Sequence, residues 1–71
     1  MADSVYKVIE LIGTSATSWE DAAKTAIERA AKSVRDLRVA EVVEQDLVIE
    51  KGRVEVYRTK VKVSFKYEEG D

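Results

Sequence analysis

The chain contains no cysteine and no histidine among its 71 residues. The first absence excludes disulfides; the two together exclude every thiolate or imidazole metal site. Oxygen-ligand cations such as Ca²⁺ or Mg²⁺ are the metals left. The commonest general base and the strongest nucleophile are missing too, and no carboxylate spacing argues for acid–base work, so the chain is not expected to be an enzyme. There is no basic excess either. Twelve Lys and Arg stand against 14 Asp and Glu, a net charge of −2, which leaves no electrostatic footprint for nucleic acid. No apolar run approaches the roughly 20 residues of a membrane span. The opening MADSVYKVIE has neither the basic n-region nor the long apolar h-region of a signal peptide. A soluble, cytoplasmic protein that binds neither nucleic acid nor membrane is expected. Repeats, linkers and low-complexity tracts are also missing, so residues 1–71 read as a single domain. A domain this small buries only about 60% of its unfolded surface. With disulfides and most metals excluded, oligomerisation is the expected remedy.

What is present is strong patterning. Over RVEVYRTKVKVSFKY, Arg53 to Tyr67, residues Tyr57, Thr59, Val61, Val63, Phe65 and Tyr67 fall on one face, and Arg58, Lys60, Lys62, Ser64 and Lys66 on the other. Period-two alternation of this length predicts one strand of roughly 50 Å, at about 3.3 Å per residue. Val5 to Ile12 predicts a first strand, apolar on both faces: Val5, Ile9 and Leu11 on one, Tyr6, Val8 and Ile12 on the other. Residues 13–18, GTSATS, read as a turn, with Thr17/Glu20 or Ser18/Asp21 as a capping pair. A lone Gly13 before Thr14 and Ser15 is no phosphate-binding fingerprint. An alanine-rich helix is predicted from about Trp19 to Asp36, with Trp19, Ala22, Ala23, Ala26, Ile27, Ala30, Val34 and Leu37 at helical spacing. Its length of roughly 26 Å covers only about half of the long strand.

Arg38 to Glu50 predicts a second strand, turning at Lys51-Gly52. With Glu50 opposite Arg53, an uninterrupted register sets Ala40 against Val63 and Val42 against Val61 on the helix side. It sets Glu41 against Lys62, Val43 against Lys60 and Gln45 against Arg58 on the other. Leu47 then meets Val56 and Ile49 meets Val54 on that second face, so the apolar side of the hairpin is expected to switch halfway. A second subunit is expected to cover the far half, because burying four aliphatic side chains is worth ~1.5–3 kcal/mol each.

The class is therefore α+β in the order β-α-β-β. VYKVIELIGTS, the alanine-rich helix, LRVAEVVEQ and VYRTKVKVSFK together resemble the dodecins over nearly the whole chain, most specifically in the strand ending GTS before a capped helix. The resemblance implies a three-stranded antiparallel sheet partly wrapped around one helix, twelve copies of which build a hollow homododecamer of cubic symmetry. It implies a small-ligand role: flavins stacked between subunits on an aromatic, usually Trp, and hydrogen-bonded by a Gln, with coenzyme A and metal ions in some members. Carried over, the stacking position falls on Val39 and the Gln on Arg58, so a flavin pocket would be altered here. RVAEVVEQD without Trp is similar to the calcium-dodecin subgroup, which lacks the flavin aromatic. A family metal position falls on Glu44.

Glu44 and Asp46 share a strand face about 7 Å apart and, with a carbonyl or another subunit's oxygen, suit Ca²⁺ or Mg²⁺; the alternative is cross-strand pairing with Lys60 or Lys62, or simple solvation. Val39, Glu41, Gln45 and Arg58 form the degenerate flavin-type pocket. In it Arg58 suits a phosphate, a carboxylate or a planar ring, against the alternative of an intersubunit salt bridge. Trp19, the single Trp, is read as packing the helix start rather than as a stacking platform, and Tyr6, Tyr57 and Tyr67 likewise pack. The expected function is storage and buffering of a cation or small ligand; flavin binding through a changed pocket, or a purely structural oligomer, are the other readings.

Overall fold

A computed structural model describes residues 4–66 of the chain. The element order is β1 (Tyr6–Ser15), α1 (Trp19–Ala30), β2 (Leu37–Glu50) and β3 (Arg53–Lys66). All three strands pair antiparallel in the order β1-β3-β2, with one helix against the sheet, which is the predicted α+β arrangement. Tyr67 and the polar end Glu68–Asp71 lie outside the described residues.

β3 is the central strand, paired on both edges, and its helix-side face is the one the helix covers. Its side chains Thr59, Val61 and Val63 are fully covered, at 0, 0 and 1% exposure. Ala22 and Ala26 of α1 sit over them, flanked by Ile9, Leu11, Ala23, Ile27 and Leu37. Burial of the two valines is worth ~1.5–3 kcal/mol each. The helix rests on β1 and β3 and barely touches β2. The molecule extends 55 Å along its longest axis, whereas twelve helical residues span roughly 18 Å. The hairpin tip is therefore bare: Ile49 is 65% and Val54 49% exposed.

Three features differ from the sequence expectation. β1 continues through Gly13, Thr14 and Ser15 instead of turning there. Gly13 lies opposite Thr59 beneath the helix, where only a residue without Cβ lets the Ala22 backbone come so close. The helix ends at Ala30, not Asp36. Lys32 N–H and Ser33 N–H bond three residues back, to the carbonyls of Arg29 and Ala30, and tighten the last turn. Asp36 at φ 60° then swings the chain into β2. The helical periodicity of Val34 and Leu37 thus belongs to a turn and to the first residue of a strand.

The third difference is the hairpin register. Lys51 and Gly52 both have positive φ, 52° and 75°, a two-residue primed turn that sets Glu50 opposite Arg53 as expected. Ile49/Val54, Val42/Val61, Glu41/Lys62 and Ala40/Val63 also pair as expected. Between them the ladder runs one residue out of step: Val48/Val56, Leu47/Tyr57, Asp46/Arg58, Gln45/Thr59 and Glu44/Lys60. Glu55 is passed over on β3 and Val43 on β2, two compensating β-bulges. The expected pairs Val43/Lys60, Gln45/Arg58 and Leu47/Val56 are replaced. Strand side chains alternate in face, so each one-residue slip inverts which side a residue serves. The apolar face consequently does not switch sides. Leu47, Ile49 and Val54 continue the helix-side face of Val61 and Val63 beyond the helix end, still uncovered.

Candidate functional site

The face of the sheet away from the helix is where the charged residues collect. Across β1, β3 and β2, the register gives four rows: Val8–Ser64–Val39, Glu10–Lys62–Glu41, Ile12–Lys60–Glu44 and Thr14–Arg58–Asp46. Alternation on all three strands sends these side chains to one side. The bulge at Val43 turns Glu44 and Asp46 to this side together with Glu41.

Asp46 and Arg58 form the tightest polar contact. The guanidinium binds the carboxylate through two hydrogen bonds, Nε to Oδ1 at 2.7 Å and Nη2 to Oδ2 at 2.9 Å. This bidentate hydrogen bonding, with the charge of Arg58 and of Lys60 behind it, holds the Asp46 carboxyl below its ordinary pKa; the same hydrogen bonding and the Asp46 charge raise that of Arg58. Lys60 Nζ lies 3.6 Å from Glu44 Oε1, a loose pair whose Glu44 side chain is 64% exposed. Both partners of the Asp46 pair are solvent-facing, so the pair specifies geometry more than it stabilises.

Asp46 is also held from the other face. Trp19 donates its indole N–H to the Asp46 backbone carbonyl at 3.0 Å. The indole stands edge-on to Tyr57, with centroids 5.3 Å apart at 85°. Thr59 Oγ1 donates to the Trp19 carbonyl at 2.9 Å, which gives the buried hydroxyl its partner. The helix start that carries Trp19 is set by Ser18, whose Oγ accepts from Asp21 N–H at 3.0 Å. The Asp21 carboxylate does not return to the Ser18 amide. It accepts from Ser15 Oγ at 2.8 Å, and Ser15 Oγ in turn accepts from Thr17 N–H.

The candidate residues are thus partly united. Val39 and Glu41 meet in a shallow depression with Val8, Lys62 and Ser64, where Ser64 Oγ donates to the Val39 carbonyl at 3.3 Å. Arg58 occupies the same face two rows along. Gln45 sits opposite Thr59 on the helix side, apart from the other three. Glu44 and Asp46 share the outer face, but both Asp46 oxygens are engaged by Arg58. No group of three or more acidic side chains close enough to hold a metal occurs among the described residues. Ca²⁺ takes six to eight oxygens. One chain offers the right donor chemistry in two carboxylates and too few donors to finish a site. Trp19 packs, as expected, though its link to Asp46 was not legible in sequence because it joins positions 27 apart. Val8 was likewise missed, since only the strand order places it beside Ser64.

The pair has a pH signature. A carboxyl whose pKa is depressed on folding stabilises in full above its unfolded pKa of about 4, and that contribution is lost as pH falls through the folded value. Urea melts of wild type and Asp46→Asn should therefore differ most above about pH 4 and converge as the pH drops below it. A difference that persists unchanged at pH 2 would remove Asp46 from the acid response.

The sequence model of the Dodecin family matches residues 5–68 of the chain. The chain is 57% identical over 63 residues to the calcium dodecin of Mycobacterium tuberculosis, covering 89% of each. It is 40% identical over 65 residues to the dodecin of Thermus thermophilus, covering 92% of this chain and 94% of the relative. Among solved structures, dodecin from Streptomyces coelicolor superposes with a TM-score of 0.92 at 33% identity, covering 99% of this chain and all of that one. The calcium-chelating calcium dodecin of M. tuberculosis superposes with a TM-score of 0.82 at 54% identity, covering 96% of this chain and 97% of that one.

Proposed function

This chain belongs to the dodecin family, and from that premise we propose that it stores and buffers a divalent cation, Ca²⁺ above all, as a hollow homododecamer. The carrying observation is the acid row Glu41, Glu44 and Asp46 on one sheet face, with the Glu44 carboxylate exposed and only loosely paired. The relative named calcium dodecin supports the choice of ion. With both Asp46 oxygens engaged by Arg58, one chain leaves most of the coordination shell to oxygens of neighbouring subunits and water, so binding and assembly belong together. The bare apolar tip around Leu47, Ile49 and Val54 supports assembly from the other side of the sheet. By the family resemblance the flavin-stacking position falls on Val39, which is 63% exposed. A valine offers no ring face, and that loss weighs against flavin as the principal ligand. With no cysteine and no histidine in the sequence, we infer binding without turnover. No helix among the described residues is long and apolar enough to cross a membrane.

Thermal melts with EDTA and with millimolar Ca²⁺ test the ion. Binding to the folded form stabilises it by RT ln(1 + [L]/Kd), about 2.7 kcal/mol at a hundredfold excess over Kd. A rise in Tm of several degrees is expected in wild type and a smaller one in Glu44→Gln. An unchanged melt would reject the cation. Native mass spectrometry reads the subunit count and any retained ion together; a monomer would reject the shell. Quenching of added flavin at micromolar concentration would favour the altered flavin pocket instead.

A further inference from the structure

Arg58 holds the same two oxygens of Asp46 that a cation would take. Its Nε and Nη2 lie 2.7 and 2.9 Å from Oδ1 and Oδ2, a planar fork matched to both oxygens of a carboxylate. A bidentate Ca²⁺ needs the same notch, at about 2.3–2.6 Å from each oxygen. The two do not fit there together, and an ion on one oxygen alone would still meet the guanidinium charge beside it. Glu44 is held differently. Lys60 makes one contact with it at 3.6 Å, and the Glu44 side chain is 64% exposed. The outer face therefore offers a cation one open carboxylate and one closed one.

We infer that Arg58 sets the cation affinity of this face: it is a tethered competitor that a divalent cation displaces from Asp46. This competition presupposes the cation reading and concerns how that same face is regulated. Glu44 is the first donor, and Asp46 joins it when Arg58 departs. Departure strands no charge. The Arg58 and Asp46 side chains are 40 and 48% exposed, so the guanidinium passes into water as it leaves. A buried pair would resist, because opening it would leave an unpaired charge in the protein. The charge balance of the face points the same way. Glu10, Glu41, Glu44 and Asp46 share their rows with Arg58, Lys60 and Lys62, four acids against three bases. A face so nearly neutral draws a cation weakly, and moving Arg58 off it tips the balance to the acids. Arg58 thereby places the concentration at which the face fills above the one that the free carboxylates would set, which suits a buffer.

Calorimetric titration of the chelator-treated whole chain with Ca²⁺ alone tests the competition. Arg58→Gln should bind Ca²⁺ about three- to tenfold more tightly than wild type, the effect of removing an exposed ion pair and its positive charge. Arg58→Lys keeps the charge without the fork and should fall between the two. Adding Asp46→Asn to Arg58→Gln should abolish the gain, because the opened carboxylate produces it. Lys62→Gln removes a positive charge from the same face without freeing Asp46, and should gain less than Arg58→Gln. If Arg58→Gln alters the circular dichroism or the subunit count, Arg58→Lys against wild type carries the test. Equal affinities for wild type, Arg58→Lys and Arg58→Gln would overturn the inference and leave the cation reading standing. A gain that survives Asp46→Asn, or that Lys62→Gln matches, would overturn it as well, since charge alone and not the fork would then be responsible. Binding by Arg58→Gln with none by wild type would keep the competition and remove cation storage by the native chain. Silence from both would overturn both.

Discussion

Replacing Gly13 with alanine is expected to destabilise the domain by about 3 kcal/mol or more, at the upper end of what overpacking costs. A Cβ at Gly13 would overlap the Ala22 carbonyl oxygen and stand 2.9 Å from both the Ala22 carbonyl carbon and the Ala26 Cβ. Two of these atoms are helix backbone, so no side-chain rotation relieves the clash. The helix has to lift, and in lifting it uncovers Val61 and Val63, the two largest apolar side chains of the buried core. Gly52 is the control. It has φ 75°, and no atom lies within 4 Å of the point where a Cβ would stand, so Gly52→Ala loses only the conformational advantage of glycine, about 1 kcal/mol. Urea denaturation followed by circular dichroism separates the two. A Gly13→Ala midpoint equal to that of Gly52→Ala would show that the helix does not rest on Gly13.

Trp19→Ala is expected to lose roughly 3 kcal/mol, the lower end of the range for deleting a packed indole, because the ring is only half-buried. The loss has separable parts. The edge-to-face contact with Tyr57 contributes about 0.5–1.5 kcal/mol beyond buried area, and the hydrogen bond to the Asp46 carbonyl about 1 kcal/mol net. Trp19→Phe keeps a ring against Tyr57 and gives up the N–H, so it should lose only about 1 kcal/mol. Equal losses for Phe and Ala would mean that the ring carries nothing and the indole N–H everything. A change within about 0.5 kcal/mol for Trp19→Ala, the usual size of a surface substitution, would show that the helix start is held by Ser18 and Asp21 without help from the indole.

Local patterning accounts for what was legible in the chain. Alternation over Arg53–Lys66 marks β3, and Lys51-Gly52 marks the turn because few residues tolerate two successive positive φ angles. Ser18 with Asp21 marks the helix start. The candidate site was legible in composition, since the acidic and basic residues on the two long strands were singled out from sequence. Their partners were half legible. Glu41 with Lys62 follows from counting back from the turn; Asp46 with Arg58 does not, because a bulge leaves no mark in a run such as Glu41-Val42-Val43-Glu44. The helix end was misread for a related reason. Val34 and Leu37 keep helical spacing, but the turn at Asp36 is made by a backbone angle that spacing does not record.

By itself the sequence determined the elements, their order, the absence of thiolate and imidazole chemistry, and the family to which the chain belongs. These depend on residue type and near-neighbour spacing, which act before the chain is folded. Only the tertiary structure decided which side of the sheet Glu44 and Asp46 occupy, and that Gln45 is on the other. A one-residue slip inverts a strand's faces. The slip brings together side chains far apart in sequence, Asp46 with Arg58 and Glu44 with Lys60. The acids of this chain are a property of its sequence; their assembly into one face is a property of its packing.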